Sequence, residues 1–265
     1  MAVRQSEGEA ETPGIPERGM PARKGASEPR APARVLSIHA HPDDQEFTVG
    51  GTLAKWARAG SAIVTVCITS GNAGSNEHTP PSMTREALMP IREREQRDAC
   101  SVLGIPDVIF LGYEDGVLEP SIALRRDLTR IVRRYRPDAV VCGDPTVRFY
   151  GASYMNHPDH RAAADAALDA VFPSAETRLI FPELLDEDLP PHKVRMVFIH
   201  GSEHPDTYID IADVLDVKLA ALKRHRSQMG EWDPTGMITM WARQQGARRK
   251  LKAAESYRLM RLNEP

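Results

Sequence analysis

Apolar and polar residues alternate in blocks from Arg34 onward. "RVLSIHA" (34–40) is strand-like, 46–60 has helical spacing, and "SAIVTVCITS" (61–70) is a second strand. Short β-branched runs bounded by turn residues predict buried strands, and longer runs with three- and four-residue spacing predict helices. After the polar loop "GNAGSNEHTPPS", a helix is predicted over 84–103, closed by Gly104-Ile105-Pro106, a glycine stop with a proline beyond it. "DVIFLG" (107–112) is a third strand, 121–136 a helix ending before Pro137, and "DAVVCG" (138–143) a fourth strand. A loop and a helix over about 160–171 come next. "KVRMVFIHG" (193–201) is a fifth strand and "TYIDI" (207–211) a short sixth, before two helices, 212–229 and about 236–261. Strands alternating with helices imply an α/β fold, Rossmann-like, with a mainly parallel sheet covered by helices on both faces.

Residues 1–33 differ in kind. They are rich in Pro, Gly, Ala, Glu and Arg and carry few large apolar side chains, too little to offset the entropy of ordering. The expectation is a disordered N-terminal tail followed by one domain over 34–265. Its last part, 230–265, reads as a C-terminal helical segment, either a packing helix, a lid or a homo-oligomer contact.

The chain has 265 residues, 41% of them hydrophobic, enough for a sizeable core. A net charge of −3 gives no reason to expect a nucleic-acid partner. No apolar run reaches the roughly 18 residues a membrane span needs, and no secretory signal is evident. Cys67, Cys100 and Cys142 lie in apolar or helical stretches without a Cys-x-x-Cys pair, which fits buried thiols in a reducing compartment. A cytoplasmic protein is expected.

His-Pro-Asp recurs at 41–43, 157–159 and 204–206. The first copy ends the first strand and is followed by Asp44. In open α/β sheets, ligands bind beyond the carboxyl ends of the strands. His41 and Asp44, an i, i+3 pair at that edge, suit a borderline cation such as zinc. Asp43 between them is placed to act as general base on a water activated by the metal. The second copy, "NHPDHR", supplies His157 and His160 with the same spacing after the fourth strand. Together the two copies form a His-His-Asp set with one functional group to spare. The third copy has Thr207 where a ligand would stand and reads as a connecting turn.

Two competing readings follow from the same stretch. His39, His41 and Asp43 form a His-x-His-x-Asp pattern similar to metallo-β-lactamase-type hydrolases, although Asp44 stands where their next histidine belongs. "VGGTLA" (49–54) hints at a dinucleotide- or sugar-binding module without chemistry, but it lacks Gly-x-Gly-x-x-Gly spacing.

"AHPDDQE" (40–46) and "HPDH" (157–160) resemble the two signature motifs of the PIG-L/LmbE-like zinc-dependent N-acetyl-sugar deacetylases. Further landmarks occur in order. "IREREQRDACSVLG" (91–104), "FLGYEDG" (110–116) and "DTYIDIADVLDVKLAALKRHRSQ" (206–228) are each similar to a segment of that family, so the likeness runs from about 34 to 229.

The resemblance implies His41, Asp44 and His160 as zinc ligands, with iron(II) as the alternative metal in the cell. It implies Asp43 as general base and His157 as the group that steadies the oxyanion. The implied reaction removes acetate from an N-acetylglucosamine-type amino-sugar conjugate, a small-molecule partner. The alternative is metal-dependent hydrolysis of an amide or ester in a non-sugar or larger conjugate. Two departures bear on the sugar. The loop after the second strand has no arginine until Arg85, where many members carry one earlier. Met155, with Tyr154 beside it, stands where inositol-directed members have tyrosine. Asn72, Arg85 and Asp115 are the candidate substrate contacts.

Overall fold

A computed structural model describes residues 28–77 and 79–262. Along the chain lie β1 (Arg34–His39), α1 (Asp44–Thr48), α2 (Gly50–Arg58), β2 (Ala62–Thr69), α3 (Arg85–Leu103), β3 (Asp107–Tyr113), α4 (Ile122–Tyr135) and β4 (Ala139–Gly143). A two-residue hairpin, β5 (Phe149–Tyr150) and β6 (Tyr154–Met155), leads to α5 (Pro158–Asp169). Then come β7 (Met196–His200), β8 (Thr207–Asp210), α6 (Leu215–Leu222), α7 (Arg226–Met229), α8 (Thr235–Ala247) and β9 (Ala254–Arg261).

The main sheet has seven strands in the order β3-β2-β1-β4-β7-β9-β8. The first five are parallel, and β9 pairs antiparallel with both β7 and β8. Alternate residues of each central strand feed two separate cores. Leu36, Ile38, Val66 and Val140 pack on the side of α4 and α5, while Val35, Ile63 and Val141 pack on the side of α2, α3 and α6. Burial on both faces is why these strands read as continuous apolar runs. The chain leaves β1 toward β2 on one side and returns at β4 on the other, so the sheet order reverses between β1 and β4. Such a reversal opens a crevice at the carboxyl ends of those two strands.

Local signals set the helix ends. Thr84 caps α3 by accepting from Ala87 N–H at 3.3 Å, and Gly104 follows the helix with φ 81°. Ser121 caps α4 in the same way, from Leu124 N–H at 3.2 Å. His157 precedes α5, where Pro158 takes the first position, whose N–H would have no partner within the helix in any case.

The structure corrects the sequence reading at the C-terminus. The helix expected over 236–261 ends at Ala247, and 254–261 is the strand β9. Ala254, Glu255, Arg258, Leu259, Met260 and Arg261 favour helix locally, but β7 and β8 each offer an open edge that β9 fills, and pairing on both sides outweighs propensity. The turn from α8 to β9 folds back onto the last turn of the helix, which needs a glycine there because a Cβ on Gly246 would lie 2.7 Å from the carbonyl of Leu251. The helix expected over 212–229 is likewise two pieces, α6 and α7. Residues 1–27 of the expected tail lie outside the described residues. Contacts with the domain begin before Arg34: Glu28 pairs with Lys55 at 2.7 Å, and Pro32 accepts from Ser61 Oγ at 2.6 Å.

Candidate metal centre and active site

The two signature segments meet at the crevice between β1 and β4. His41 Nδ1 lies 3.2 Å from His160 Nε2 and 3.6 Å from Asp44 Oδ2, and His160 Nε2 is 3.0 Å from Asp44 Oδ1. Asp44 is also tied to its own loop, since its Oδ2 accepts the backbone N–H of His41 at 2.9 Å. Burial opposes its ionisation, yet His160 and His41 hold the Asp44 carboxyl well below the usual range.

The tautomers follow from the partners. His41 Nε2 faces two carboxylates, Asp115 Oδ1 at 3.1 Å and Asp159 Oδ2 at 3.2 Å, so this nitrogen carries the proton. Nδ1 faces His160 and Asp44, and although burial opposes the charge, Asp115, Asp159 and Asp44 raise the His41 pKa well above the ordinary value, so a proton sits where a cation would bind. An imidazole lone pair facing a second imidazole nitrogen and a carboxylate is satisfied only by a proton or a cation. This donor set, two imidazoles and a carboxylate with a carboxylate behind the first imidazole, fits a borderline divalent metal. His157 differs from both. Its Nδ1 accepts the N–H of Asp159 at 3.2 Å, so a neutral His157 carries its proton on Nε2. Burial, and the positive charge of His41 and His160, lower its pKa and favour that neutral form.

Asp43 begins α1 with φ 87°, a left-handed conformation that costs a non-glycine residue about 1–3 kcal/mol. Its carboxylate pairs with Arg92 at 3.0 Å, and its N–H donates to Gln96 Oε1 at 2.8 Å. Arg92, 4% exposed, also donates to the carbonyls of Gly71 (2.6 Å) and Pro42 (2.7 Å), clamping the signature loop to the end of β2. Burial raises the Asp43 pKa and Arg92 pulls it back, leaving it above the ordinary carboxylate value.

Asn72 and Arg85 line one cavity of about 330 Å³ with Ser70, Met89 and Glu114. Asp115 does not line it. It is 5% exposed, accepts from Ala73 N–H at 2.5 Å and stands against His41. Arg85 donates to the Asp115 carbonyl at 2.6 Å and lies 3.3 Å from Glu114. Tyr154 is half exposed on the hairpin ahead of His157, and Met155 is more so.

His39 joins neither group of converging donors. Its Nε2 meets Ser37 Oγ at 2.7 Å and its ring stacks on His200. The "VGGTLA" stretch forms the start of α2, and Glu255 of β9 occupies its N-terminus, accepting from Gly51 N–H at 2.9 Å and Thr52 N–H at 2.7 Å. The protein's own carboxylate therefore stands where a nucleotide phosphate would bind. The third His-Pro-Asp is a turn between β7 and β8, with Asp206 accepting from Leu259 N–H at 3.0 Å.

The family profile PIG-L, GlcNAc-PI de-N-acetylase, matches residues 36–171. The chain belongs to this family. Both signature segments of the PIG-L fold fall inside the match. A diacetylchitobiose deacetylase of Thermococcus kodakarensis is 30% identical over 206 residues, 76% of this chain and 74% of the relative. A probable N-acetyl-alpha-D-glucosaminyl L-malate deacetylase 2 of Bacillus anthracis is 30% identical over 200 residues, 73% of this chain and 80% of its own length. Among solved structures, the N,N'-diacetylchitobiose deacetylase of Pyrococcus horikoshii superposes with a TM-score of 0.80 at 30% identity, covering 87% of this chain and 84% of that one. These likenesses support a deacetylase, a hydrolase of the PIG-L type.

Reasoning from sequence missed several residues that hold the site. Asp159 lies inside the second motif, where the sequence reading gives roles to His157 and His160 alone. Arg92, Gln96 and His225 lie in segments noted for their likeness to the family, but nothing local in the sequence points them toward Asp43.

Proposed function

We propose that this chain is a zinc-dependent N-deacetylase that removes acetate from an N-acetylglucosamine-type conjugate. His41, Asp44 and His160 would hold the metal, and two imidazoles in the set favour zinc over a hard oxygen-seeking cation, with iron(II) the second choice. A zinc ion there would polarise the amide carbonyl and lower the pKa of an adjacent water toward about 7. Asp43 takes the proton from the attacking water and passes it toward the amine nitrogen as the C–N bond breaks. His157 donates its Nε2–H to the carbonyl oxygen as negative charge develops there. Water adds to the acetyl carbon, and acetate and a free amine leave.

The observation that carries this reading is that the two signature histidines have different ring nitrogens engaged by their neighbours. His41 Nε2 is taken by Asp115 and Asp159, which leaves Nδ1 for a metal, whereas His157 Nδ1 is taken by the Asp159 N–H, which leaves its Nε2–H to donate. Asn72 and Arg85, which line one cavity between the loop after β2, the start of α3 and the end of β3, are proposed to contact the sugar conjugate. Three free buried thiols support a reducing compartment, and we place the protein in the cytoplasm. Among the described residues, no helix is long and apolar enough to cross a membrane.

The test is acetate release from a panel of N-acetylglucosamine conjugates, N,N'-diacetylchitobiose among them, by zinc-loaded protein. Release abolished by Asp43→Ala and by a chelator supports the reading. Release that survives Asp43→Ala removes the base assignment.

A further inference from the structure

Beneath Asp43 runs a buried chain of polar side chains that touches none of the proposed metal ligands' side chains. Asp43 N–H donates to Gln96 Oε1 at 2.8 Å. Gln96 Nε2 donates to both oxygens of Glu46, at 3.0 and 3.2 Å, and Glu46 Oε2 meets His225 Nε2 at 3.2 Å. Gln45 adds a donor to Glu46 Oε1 at 2.9 Å. Gln96, Glu46 and His225 are each 0% exposed, so no solvent stands in for a missing partner.

The chain has a direction. A carboxylate only accepts, so Glu46 turns the NH2 of Gln96 toward itself and leaves the amide oxygen no orientation but toward Asp43. His225, which precedes α7, meets Glu46 from the far side and fixes the carboxylate in turn. Among the described residues its Nδ1 has no hydrogen-bond partner, so the ring's polar contact there is with Glu46 alone. Buried ionic and amide groups in place of apolar ones are not a route to stability. The arrangement ends on the backbone of the one signature residue whose φ is left-handed.

We propose that Gln96, Glu46 and His225 are positioning residues that hold the main chain of Asp43 in its left-handed conformation and so aim its carboxylate at the attacking water. The proposal rests on Asp43 being the general base. Loss of the chain lets Asp43 relax toward an ordinary backbone. That displaces the carboxylate while His41, Asp44 and His160 stay in place, because their mutual contacts do not pass through Gln96.

The test compares zinc-loaded wild type, Gln96→Met, Glu46→Met, Glu46→Gln and Asp43→Asn on the panel conjugate that wild type cleaves fastest. Gln96→Met and Glu46→Met are expected to lower kcat by about 10- to 100-fold, the scale of a misplaced catalytic group. KM and bound zinc per chain should stay unchanged, and the Asp43 amide proton should exchange faster. Glu46→Gln, which keeps an acceptor for Gln96, should recover most of the rate. A folded Gln96→Met enzyme with kcat within about twofold of wild type overturns the proposal, as does a rate loss matched by zinc loss. If Gln96→Met fails to fold, the Glu46→Met and Glu46→Gln pair decides on the same readouts. Asp43→Asn at the wild-type rate would overturn the base assignment itself. An inactive Asp43→Asn beside a fully active Gln96→Met would overturn the positioning chain alone.

Discussion

His41 Nε2 stands 3.2 Å from Asp159 Oδ2, so the second His-Pro-Asp segment supplies the carboxylate that orients the histidine of the first. Asp159 is itself fixed, accepting from Gly116 N–H at 2.8 Å and Leu118 N–H at 3.2 Å. Carboxylates behind metal-bound histidines raise ligand basicity, and their loss typically weakens metal affinity by about 10- to 100-fold. Asp159→Asn is expected to weaken zinc binding by that factor, measured by competition with a chromophoric chelator. Unchanged affinity would show that Asp115 alone suffices.

Arg92 gives a second prediction. It is a buried cation held by two carbonyls and the Asp43 carboxylate. Arg92→Met removes the pairing charge and the clamp between the signature loop and the end of β2. We expect kcat/KM to fall by about 10- to 100-fold, as for other misplaced catalytic groups, with zinc retained. Zinc stoichiometry measured beside the kinetics separates this from collapse of the metal centre.

How much of this was legible in the sequence depends on range. The parallel strands were readable because each is a short apolar run with both faces buried, and α3 and α4 because Thr84, Gly104 and Ser121 mark their ends. The meeting of 41–44 with 157–160 followed from placing both at strand ends. β9 was not readable, since its strand character comes from partners far along the chain. The same holds for Gln96 and His225. Their geometry depends on how α3 and the turn before α7 pack over α1, and a polar residue on a helix looks alike whether it faces solvent or a buried carboxylate.

A third prediction concerns acid stability. Burial, with His39 beside it, pushes the pKa of His200 down to about 3 from the ordinary 6.5. The unfolded chain therefore takes up a proton first as pH falls. The contribution of neutral His200 is fully present above about pH 6.5 and is lost progressively below it. At about pH 5 the loss should approach 2 kcal/mol from this group. Denaturant unfolding of wild type and His200→Phe at about pH 7.5 and pH 5 reads it directly. An equal acid loss in both proteins would assign the effect elsewhere.

Glu255 and Lys218 allow a fourth. They are 5% and 3% exposed and paired at 2.5 Å, and Glu255 also closes the start of α2. Removing one partner strands a buried charge, at a cost of about 3–5 kcal/mol. Glu255→Leu should destabilise by that amount, whereas adding Lys218→Met should recover part of it. The double-mutant cycle, read by denaturant unfolding, would show no coupling if the two side chains act independently.

The last prediction separates substrate choice from chemistry. Asn72 lines a cavity from the loop after β2, and Ala73 of the same loop hydrogen-bonds Asp115 rather than any proposed metal ligand. Arg85 enters the cavity from the start of α3, held by the Asp115 carbonyl. A sugar conjugate gripped here would gain binding in ground and transition states alike, so weakening the grip should raise KM more than it lowers kcat. Asn72→Ala should therefore raise KM by about 3- to 10-fold with kcat little changed, the loss of roughly one hydrogen bond. Exchange of residues 71–84 for the loop of another PIG-L member should alter the order of preference across the conjugate panel. Bound zinc should stay the same, because His41, Asp44 and His160 lie outside the exchanged segment. An unchanged order of preference after the exchange would move the specificity pocket to the β5–β6 hairpin, where Tyr154 and Met155 stand exposed ahead of His157.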